Sequence, residues 1–512
     1  MLMDYIPRAA ALIALLGGLA VGGACEQAGR AEHTATEAGR EATGPPLRTI
    51  AVSSLAELEE ALSSAEPGDL IEVADGTYET TDRIRVKKSG TAERPIVVRA
   101  RNRGGAVIAG RCGVVFDSAA YVVFEGFRLT HSSESRSCEL KNCHDVRITR
   151  NRFRLTEDST QSIEWVYITG ESHHNRIDHN LFEEKHRIGN FISLHGVSKS
   201  DQPTGRASQY DRIDHNHFRN IGPRVRNGME AIRLGNSKMS MSSAYCSVES
   251  NLFENCDGDP EFISVKCSDN SIRYNTCTNC EGSLVLRHGN RSVAEGNFFF
   301  CTDGKRGVGG IRVYGDDHKV INNYFEGLTG KGDEAPLVLC NGDTDTGPLD
   351  ARFRPHRAVI AFNTLVNCVN SSIDIGFDDA GTMRLPSQDC TIASNIVVAS
   401  SGKLVNVIHP AENLTWAGNI MLATGSATLG VSLPHDGIRV LDPRLRQSEG
   451  LWRLSDGSPA MDAAEGAYVD VVEDMDGHRR VGKRDVGADE YSTAPVLRRP
   501  LRPSDVGVDG AE

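Results

Sequence analysis

Apolar and polar residues alternate in short runs along most of the chain. Leu70–Val73 and Ile96–Ala100 are two such runs, and residues typical of turns flank them. Alternation with a period of two places the apolar side chains on one face of a β-strand. The pattern therefore predicts many short strands. Helical periodicity is convincing only at Ser54–Ser64, which begins with a residue typical of a helix N-terminus.

From about residue 145 the strands recur with a signature of asparagine, any residue and then, in most copies, a large apolar residue. The asparagines are Asn151, Asn180, Asn216, Asn251, Asn275, Asn297, Asn323, Asn363, Asn395 and Asn419. The shortest intervals between them are 22 to 26 residues, and the longer ones are that coil plus loop insertions. One such coil cannot bury its own apolar face, whereas stacked coils bury a continuous apolar column.

This repeat predicts an all-β fold, a single-stranded right-handed parallel β-helix. The Ser54–Ser64 helix is expected to cap its open N-terminal end, where an exposed sheet would otherwise pair with other strands. The repeated asparagine suits a left-handed bend at a corner of each coil. Stacked asparagine side chains can also hydrogen-bond along the column.

The ends of the chain lack the repeat. Residues 1–24 combine a short polar segment with an apolar stretch too short for a comfortable membrane span, which predicts a signal peptide. Small residues before Cys25 resemble a bacterial lipoprotein cleavage site, with plain secretion as the alternative to a lipid anchor there. The mature protein is then periplasmic, an outer-membrane lipoprotein or extracellular.

Four segments follow from these patterns. The signal peptide precedes a disordered tether over 25–48, which is almost without large apolar residues. The catalytic β-helix domain is predicted over 49–491, with 451–491 as its terminal coil. Residues 492–512 are predicted to be a flexible tail.

Composition narrows the classes of function. The chain has 512 residues, a formal net charge of −13 and a pI of about 5.7. A nucleic-acid-binding protein usually has a basic balance, so we expect no nucleic-acid partner. The 13 cysteines include Cys25, and the other 12 could form some disulfides after export. For any given cysteine, a small apolar core residue is the favoured interpretation.

Charged residues concentrate in the segment 256–290. Asp259 and Glu261 are two residues apart, so an extended strand would point both carboxylates to one face. Lys266 lies on the same coil, and Arg287 follows it by 21 residues, which is about one coil. The side chains of Lys266 and Arg287 are therefore expected side by side on neighbouring coils.

The motif from Asn227 to Arg233 adds an amide oxygen from an earlier coil, expected where a strand begins. The oxygens of Asn227, Asp259 and Glu261 suit a hard cation such as Ca²⁺. Three protein ligands leave coordination positions for water or substrate, as in a catalytic site. Lys266 can act as a base once a nearby cation and Arg287 favour its free amine. Glu230 and Arg233 are expected to support Asn227.

These residues resemble the polysaccharide lyase family that contains alginate lyases and chondroitinase B, which is built on a right-handed parallel β-helix. The resemblance covers roughly 49–491. Its motifs here are Pro67–Ile71, Gly76–Tyr78, Gly90–Ile96, the acidic pair Asp259 and Glu261, Ile263–Lys266, Arg287–Gly289 and Asp485–Glu490. One departure is visible, because Asp259, followed by Pro260, stands where the family usually has glutamate.

The resemblance implies a Ca²⁺-dependent lyase that cleaves a uronic-acid polymer, with alginate favoured, by β-elimination. Asn227, Asp259 and Glu261 would hold Ca²⁺ against the substrate carboxylate. Lys266 would remove the C5 proton, and Arg287 would assist departure of the O4 oxygen, leaving a 4,5-unsaturated uronosyl end. The residues expected to contact neighbouring sugars are His288, Arg312, Arg233 and Tyr314.

Three alternatives stay open at this point. The first is a lyase acting on chondroitin or dermatan sulfate, because these polymers also carry C5 protons beside carboxylates. The second is a glycoside hydrolase on the same fold, with Asp259 and Glu261 as acid and base. The third is a surface protein that binds glycans without turnover.

Overall fold

The computed structural model describes residues 45–198, 204–433 and 435–511. The predicted signal peptide, Cys25 and the tether up to residue 44 lie outside these residues. Arg48, assigned to the tether, already belongs to the first strand. In the described part of the chain, no helix is long and apolar enough to cross a membrane.

Most described residues form three parallel sheets, because nearly every coil contributes one short strand to each. Sheet 1 contains, in spatial order, Arg48–Val52, Asp69–Val73, Ile96–Ala100, Ala120–Glu125, His144–Thr149, Arg176–Asp178, Arg212–Asp214, Ser247–Glu249, Ser271–Arg273, Val293–Glu295, Lys319–Ile321, Val359–Ala361, Thr391–Ala393 and Thr415–Ala417. Sheet 2 contains Gly76–Thr80, Ala106–Gly110, Arg128–Leu129, Arg152–Phe153, Leu181–Lys185, His217–Ile221, Leu252–Cys256, Thr276–Thr278, Phe298–Phe300, Tyr324–Glu326, Thr364–Val366, Ile396–Ala399, Asn419–Ala423 and Ile438–Val440.

Sheet 3 carries the residues predicted to do chemistry. It contains Ile84–Val86, Val114–Asp117, Cys138–Lys141, Val166–Thr169, Ile192–Val197, Ile232–Gly235, Glu261–Lys266, Gly282–His288, Val308–Val313, Leu337–Cys340, Ser371–Phe377 and Lys403–Val407, with Arg206–Ala207 antiparallel to Ile192–Val197. Apolar side chains from all three sheets, such as Ile263, Val248 and Phe253, pack into one central core. The predicted parallel β-helix is confirmed.

The predicted N-terminal helix is also confirmed, as Leu55–Ser64. The Ser54 hydroxyl accepts a hydrogen bond from the Glu57 backbone N–H at 3.2 Å, and the Glu57 carboxylate accepts one from Ser53 N–H at 2.7 Å. This reciprocal pair satisfies N–H groups that the first turn leaves free. Leu58 and Leu62 are buried at the end of the core. Single turns of 3₁₀ helix occur at Ser237–Met239, Gly332–Glu334, Pro503–Asp505 and Gly507–Asp509.

The repeated asparagines form the predicted ladder. From Asn151 to Asn419, each Nδ2 donates to the Oδ1 of the next asparagine at 2.9–3.1 Å. The expected left-handed bend is displaced by one residue, because Ser250 and Tyr274, for example, take the positive φ angles of 54° and 57°. The preceding residue turns the corner, which leaves the asparagine amide free to point inward and join the coils.

The described cysteines are all unpaired and most are buried, so the core interpretation favoured for them holds in this part of the chain. No sulfur of theirs is held in a disulfide. Burial raises the pKa of the Cys138 and Cys267 thiols far above the ordinary value, Cys267 to about 12, which keeps them protonated and apolar in character.

The structure differs from the sequence prediction at the C-terminal end of the β-helix. The last stacked strand is Ile438–Val440, and the antiparallel hairpin Leu445–Ser448 and Leu451–Leu454 follows it. Residues 441–491, here called the covering segment, lie along the outer side of the coils rather than forming a terminal coil. Met475 and Ala488 pack there on Phe298 and Tyr324. Without this segment, apolar side chains on the outer side of the coils would be exposed to solvent.

Residues 492–511, expected to be a flexible tail, run back along the β-helix. Leu501 N–H donates to Thr276 Oγ1 at 2.8 Å, and Gly507 N–H donates to the His215 carbonyl at 2.8 Å. The Arg150 guanidinium donates to the carbonyls of Val508 and Gly510. These contacts use backbone groups, which is why the apolar pattern of the sequence did not indicate them.

Candidate active site on the outer face of sheet 3

Four neighbouring strands of sheet 3 carry the predicted site. In register, Arg233 lies opposite Ser264, Ser264 opposite Val285, and Val285 opposite Arg312. The residues that alternate with this row pack in the central core. The row therefore occupies the face of sheet 3 that points away from the core, as the strand period requires.

Glu261 is the centre of the charged cluster. Its Oε1 lies 3.3 Å from Arg287 Nε and 3.6 Å from Arg312 Nη2, and its other oxygen accepts a hydrogen bond from the Ser264 hydroxyl. Burial alone would raise the pKa of Glu261, but the charges of Lys266, Arg312 and Arg287 outweigh it and hold the pKa below its usual value. Glu261 is therefore ionised and held by cations.

Asp259 does not share an extended strand with Glu261, as the sequence had suggested. It lies in the bend before the strand, which begins at Glu261, because Pro260 cannot donate a backbone hydrogen bond to a ladder. Its carboxylate accepts hydrogen bonds from the backbone N–H groups of Gly228 at 2.7 Å, Met229 at 3.3 Å and Glu261 at 3.0 Å.

The charge of Asp259 is nevertheless poorly balanced. Burial, followed by the nearby carboxylates of Glu230 and Glu261, raises the pKa of Asp259 to about 7. The three backbone N–H groups offset only part of this effect. Its surroundings therefore favour additional positive charge.

Glu230 was assigned only a supporting role from the sequence. It is fully buried, and neither carboxylate oxygen has a hydrogen-bond partner in the described part of the chain. Its Oε1 lies 3.5 Å from the ammonium of Lys266. A buried carboxylate without hydrogen bonds is costly, so Glu230 belongs to the charged cluster itself. Its position three residues after Asn227 carries no distinctive signal in the sequence.

Lys266 and Arg287 do not lie directly opposite each other on neighbouring strands, as their spacing of 21 residues had suggested. Val265 pairs with Leu286, but Lys266 pairs with His288, because a bulge places Arg287 between these two positions. The bulge turns the Arg287 guanidinium towards Glu261 and over the Tyr314 ring, 5.4 Å from the ring centroid. Lys266 meanwhile faces Glu230. The two cations therefore contact different carboxylates of one cluster.

Asn227 is exposed and lies in a bend, five residues before the strand that begins at Ile232. The expectation that it lies where a strand begins is not met, because Gly228 interrupts the extended chain with a φ of 93°. The next residue, Gly228, donates its N–H to Asp259. Asn227 thus adjoins the acidic cluster through its neighbour.

The four residues expected to contact sugars occupy different settings. Arg312 donates to Asp333 Oδ2 at 2.8 Å and lies beside Glu261, whereas Arg233 contacts Ser193 at 3.1 Å and Glu164 at 3.5 Å. Tyr314 is 2% exposed and packs beneath the arginine side chains, so it supports them rather than presenting its own surface.

His288 is 3% exposed, and its Nδ1 has no hydrogen-bond partner among the described residues. Burial, and then the charges of Arg287 and Lys266, lower the pKa of His288 to about 3. At neutral pH its imidazole is therefore uncharged, and Nδ1 or Nε2 carries a lone pair. An uncharged His288 would contact a sugar through hydrogen bonds rather than through charge.

The donors present fit a hard cation. Glu230, Asp259 and Glu261 supply only oxygen ligands, and both carboxylate oxygens of Glu230 lack partners. The pKa of Asp259 is raised by burial and then by the two neighbouring carboxylates. Among the described residues, Asp474, Asp476 and His478 bring three carboxyl or imidazole ligand atoms within 4.8 Å of one another, and the oxygens of Glu230, Asp259 and Glu261 lie further apart than that. There the Asp474 carboxylate accepts the backbone N–H groups of Asp476, His478 and Glu490, so it orders a turn.

Fold and site together define a parallel β-helix protein with an acid–base cluster on the outer face of one sheet. The family model described as Chondroitinase B matches residues 52–420. The chain therefore belongs to the family of alginate lyases and chondroitinase B. No curated protein sequence matches it.

Solved structures with the same fold include the PL6 family alginate lyase AlyGC, with a TM-score of 0.72, 24% sequence identity and coverage of 89% of this chain and 60% of that one. A variant of AlyGC gives a TM-score of 0.70 at 25% identity, covering 80% of this chain and 55% of that chain. A mannuronic acid specific family 6 lyase from human gut microbiota gives 0.62 at 24%, with coverage of 74% and 87%. This chain thus spans 55–60% of the length of the AlyGC chains.

Proposed function

We propose that this protein is a Ca²⁺-dependent polysaccharide lyase that cleaves a uronic-acid polymer by β-elimination. The observation that carries the proposal is the meeting of Glu230, Asp259 and Glu261 with Lys266, Arg287 and Arg312 on one face. A hydrolase would need two carboxylates free to act as acid and base, whereas Glu261 is held by cations and Asp259 by backbone N–H groups.

Asn227, Asp259 and Glu261 would hold the cation, with Glu230 as a further oxygen ligand. When bound, Ca²⁺ supplies positive charge that neutralises the uronate carboxylate and stabilises the anion formed at C5. A Glu230 carboxylate that binds the cation would no longer pair with the Lys266 ammonium. The amine of Lys266 would then be available as a base.

In the reaction, Lys266 Nζ accepts the proton from C5 of the uronate. The electron pair of that C–H bond forms the C4–C5 double bond as the C4–O4 bond breaks. Arg287 assists the departing O4 oxygen, which gains a proton from it or through a water. One product chain has a hydroxyl at its new reducing end, and the other begins with a 4,5-unsaturated uronosyl residue.

Arg312 and Arg233 would pair with carboxylates of neighbouring sugars. Arg312 already spans Glu261 and Asp333, so a sugar carboxylate would bind beside an arginine that is held in place on both sides. His288 would contribute an uncharged hydrogen-bonding group.

Alginate is the proposed substrate. Two of the structures with this fold are of AlyGC, an alginate lyase, and a third is of a mannuronic acid specific lyase. Chondroitin and dermatan sulfate are the alternatives to compare. We also propose export through the signal peptide predicted over 1–24, which the short apolar stretch before Cys25 supports. Cell fractionation with N-terminal sequencing would check it.

The test is a panel of alginate, polymannuronate, polyguluronate, chondroitin sulfate and dermatan sulfate, assayed for new ultraviolet-absorbing unsaturated ends with Ca²⁺ and with a chelator. We expect absorbance with alginate, its loss on chelation, and a fall of at least about 10³-fold for Lys266→Ala. Lys319→Ala is the control, because Lys319 lies in sheet 1 rather than sheet 3 and pairs with Asp470.

Reducing ends without unsaturation would instead identify a hydrolase. Binding without any product, unchanged in Lys266→Ala, would identify a protein that only binds glycans.

A further inference from the structure

A pocket of about 690 Å³ opens on the same face of sheet 3, beyond Arg312. Its polar and aromatic lining includes Lys331, Asp333, Asp374, Phe377, Lys403 and Asn406. Asp333 belongs both to this lining and to the ion pair with Arg312 at 2.8 Å. The pocket is therefore continuous with the proposed active site.

Asp374 is the most unusual member of the lining. It is 1% exposed, its Oδ2 accepts a hydrogen bond from Asn406 Nδ2 at 3.3 Å, and its Oδ1 has no partner among the described residues. Burial raises the pKa of Asp374, and hydrogen bonds from Ser371, Asn406 and the Gly332 backbone offset only part of that rise. A buried carboxylate oxygen without a donor is a group that a ligand hydroxyl would satisfy.

The rest of the lining has the chemistry of a sugar-binding pocket. Phe377 is half-buried and packs on the apolar cluster that includes Val338 and Met383, so its ring is fixed in place. Lys331 and Lys403 are exposed at the rim, and Lys403 Nζ donates to Asn406 Oδ1 at 3.1 Å. Aromatic surface, a hydroxyl acceptor and two ammonium groups suit a pyranose that carries a carboxylate.

The register fixes how far this pocket lies from the reacting groups. Arg312 pairs with Val338, Val338 with Asp374, and Asp374 with Asn406. The strand of Asp374 is four steps along sheet 3 from the strand Glu261–Lys266. At about 4.8 Å a step, the separation along the sheet is about 19 Å. A 1,4-linked pyranose chain advances by a similar step for each residue.

We propose that the pocket around Asp374 is a distal subsite that binds the uronate residue about four positions from the bond that is cleaved. Asp374 Oδ1 accepts a hydrogen bond from a sugar hydroxyl, the Phe377 ring contacts the pyranose, and Lys331 and Lys403 pair with its carboxylate. This inference rests on the proposed lyase function. It makes the enzyme favour chains long enough to reach the pocket.

The experiment compares unaltered protein with Asp374→Asn on alginate oligosaccharides of defined length from three to ten residues. The substitution keeps the shape of the side chain but replaces one acceptor by a donor. We expect the KM for the longest oligosaccharides to rise about tenfold, with kcat unchanged and with short oligosaccharides unaffected. Phe377→Leu should give the same dependence on length.

Asp470→Asn is the matched control, because Asp470 lies on the covering segment. Thermal melting of each variant checks that it is folded. Equal kinetics of Asp374→Asn and unaltered protein at every length, or an equal loss for short and long chains, would overturn the subsite.

A binding measurement distinguishes failure of the proposed lyase function from failure of the subsite. If no oligosaccharide yields unsaturated product with the unaltered protein, calorimetric binding of the ten-residue oligosaccharide still decides on the pocket. Tighter binding by unaltered protein than by Asp374→Asn supports the subsite, and equal binding overturns it.

Discussion

Glu230 shows that the surroundings of a residue decide its role. A glutamate three residues after Asn227 has no special signal in the sequence, but in the fold it is fully buried, lacks hydrogen bonds and faces Lys266. The cluster holds three carboxylates, and burial, followed by the charges of Glu230 and Glu261, raises the pKa of Asp259. Additional positive charge should therefore stabilise the folded state.

This gives a prediction about metal binding that does not depend on turnover. Ca²⁺ at about 100-fold above its Kd should stabilise the protein by about 2.7 kcal/mol and raise its Tm. Glu230→Gln should lose most of that rise, because a neutral amide is a weaker ligand for a hard cation. Differential scanning calorimetry with and without Ca²⁺ measures both.

Glu134→Gln is the control for this substitution, because the Glu134 side chain is 53% exposed and lies away from the cluster. It should keep the full rise in Tm. An equal rise in Glu230→Gln would exclude Glu230 from the cation site.

At the scale of elements, the asparagine ladder joins the coils. Asn275 is fully buried and donates to the Val248 carbonyl and to Asn297 Oδ1, both at 2.9 Å. Its own Oδ1 accepts from the backbone and side-chain N–H groups of Asn251, both at 3.0 Å. The loss of this one side chain removes hydrogen bonds to buried groups on both neighbouring coils.

Asn275→Ala should therefore destabilise the protein by about 3 kcal/mol, measured by urea unfolding. Asn102→Ala is the control, because Asn102 is exposed and makes one side-chain hydrogen bond, to Asp75. Its cost should stay below about 1 kcal/mol. Equal losses in the two variants would mean that the ladder does not hold the coils together.

The covering segment is a second element with a defined anchor. The Arg480 side chain is fully buried and donates to Asn322 Oδ1 at 2.9 Å, to the Gly487 carbonyl at 2.7 Å and to Glu490 at 2.9 Å. It thus links the covering segment to a coil and also links two parts of the segment to each other. The guanidinium also lies 4.7 Å from the centroid of the Phe362 ring.

Arg480→Ala should release this segment and speed its cleavage in limited proteolysis at least several-fold, because local opening exposes it. Arg479→Ala is the neighbouring control, since Arg479 is exposed. Its cleavage rate should match that of unaltered protein. If the Arg480 variant also resists the protease, apolar packing by Met475 and Ala488 is sufficient to hold the segment.

Features that repeat along the chain could be predicted from the sequence, whereas features that occur once could not. The strand alternation and the spacing of Asn251, Asn275 and Asn297 are repeated many times, so they predict the β-helix and its ladder. The bulge that shifts Arg287 by one position occurs once and leaves no periodic signal. The same holds for the bend that Pro260 forces on Asp259.

The burial of Glu230 and the path of the covering segment depend on contacts far apart in the chain. Arg480 and Asn322, for example, are 158 residues apart. Neither residue type nor spacing could indicate that pair. The residues of the candidate site were therefore found largely through motif resemblance, and their contacts only through the fold.

At the scale of the whole molecule, buried titratable groups have opposed effects on stability. Burial, with the charge of Arg83, lowers the pKa of His131 to about 4 despite the nearby Ser132 carbonyl and Asp158. Burial raises the pKa of Asp211 and of Asp489 to about 6. Between pH 6.5 and 4, the histidine therefore destabilises the folded state as the pH falls, and the two aspartates stabilise it.

The contribution of His131 can be isolated by substitution. Its Nδ1–H donates to the Ser132 carbonyl and its Nε2 accepts from the Ser137 hydroxyl, both at 2.8 Å, so the folded state holds the neutral ring. The unfolded chain binds a proton near pH 6.5, and the folded one only near pH 4. The stability that neutral His131 provides is thus complete above pH 6.5 and is lost as the pH falls towards 4.

Urea unfolding at pH 7.5 and pH 4.5 of unaltered protein and His131→Gln measures this difference. The variant should be less stable at pH 7.5, and its deficit should shrink by about 2–3 kcal/mol at pH 4.5, because glutamine does not titrate. Asp211→Asn should show the opposite change, since its raised pKa destabilises the folded state at high pH. A deficit of His131→Gln that is independent of pH would show that the pKa of His131 is the same in the folded and unfolded states.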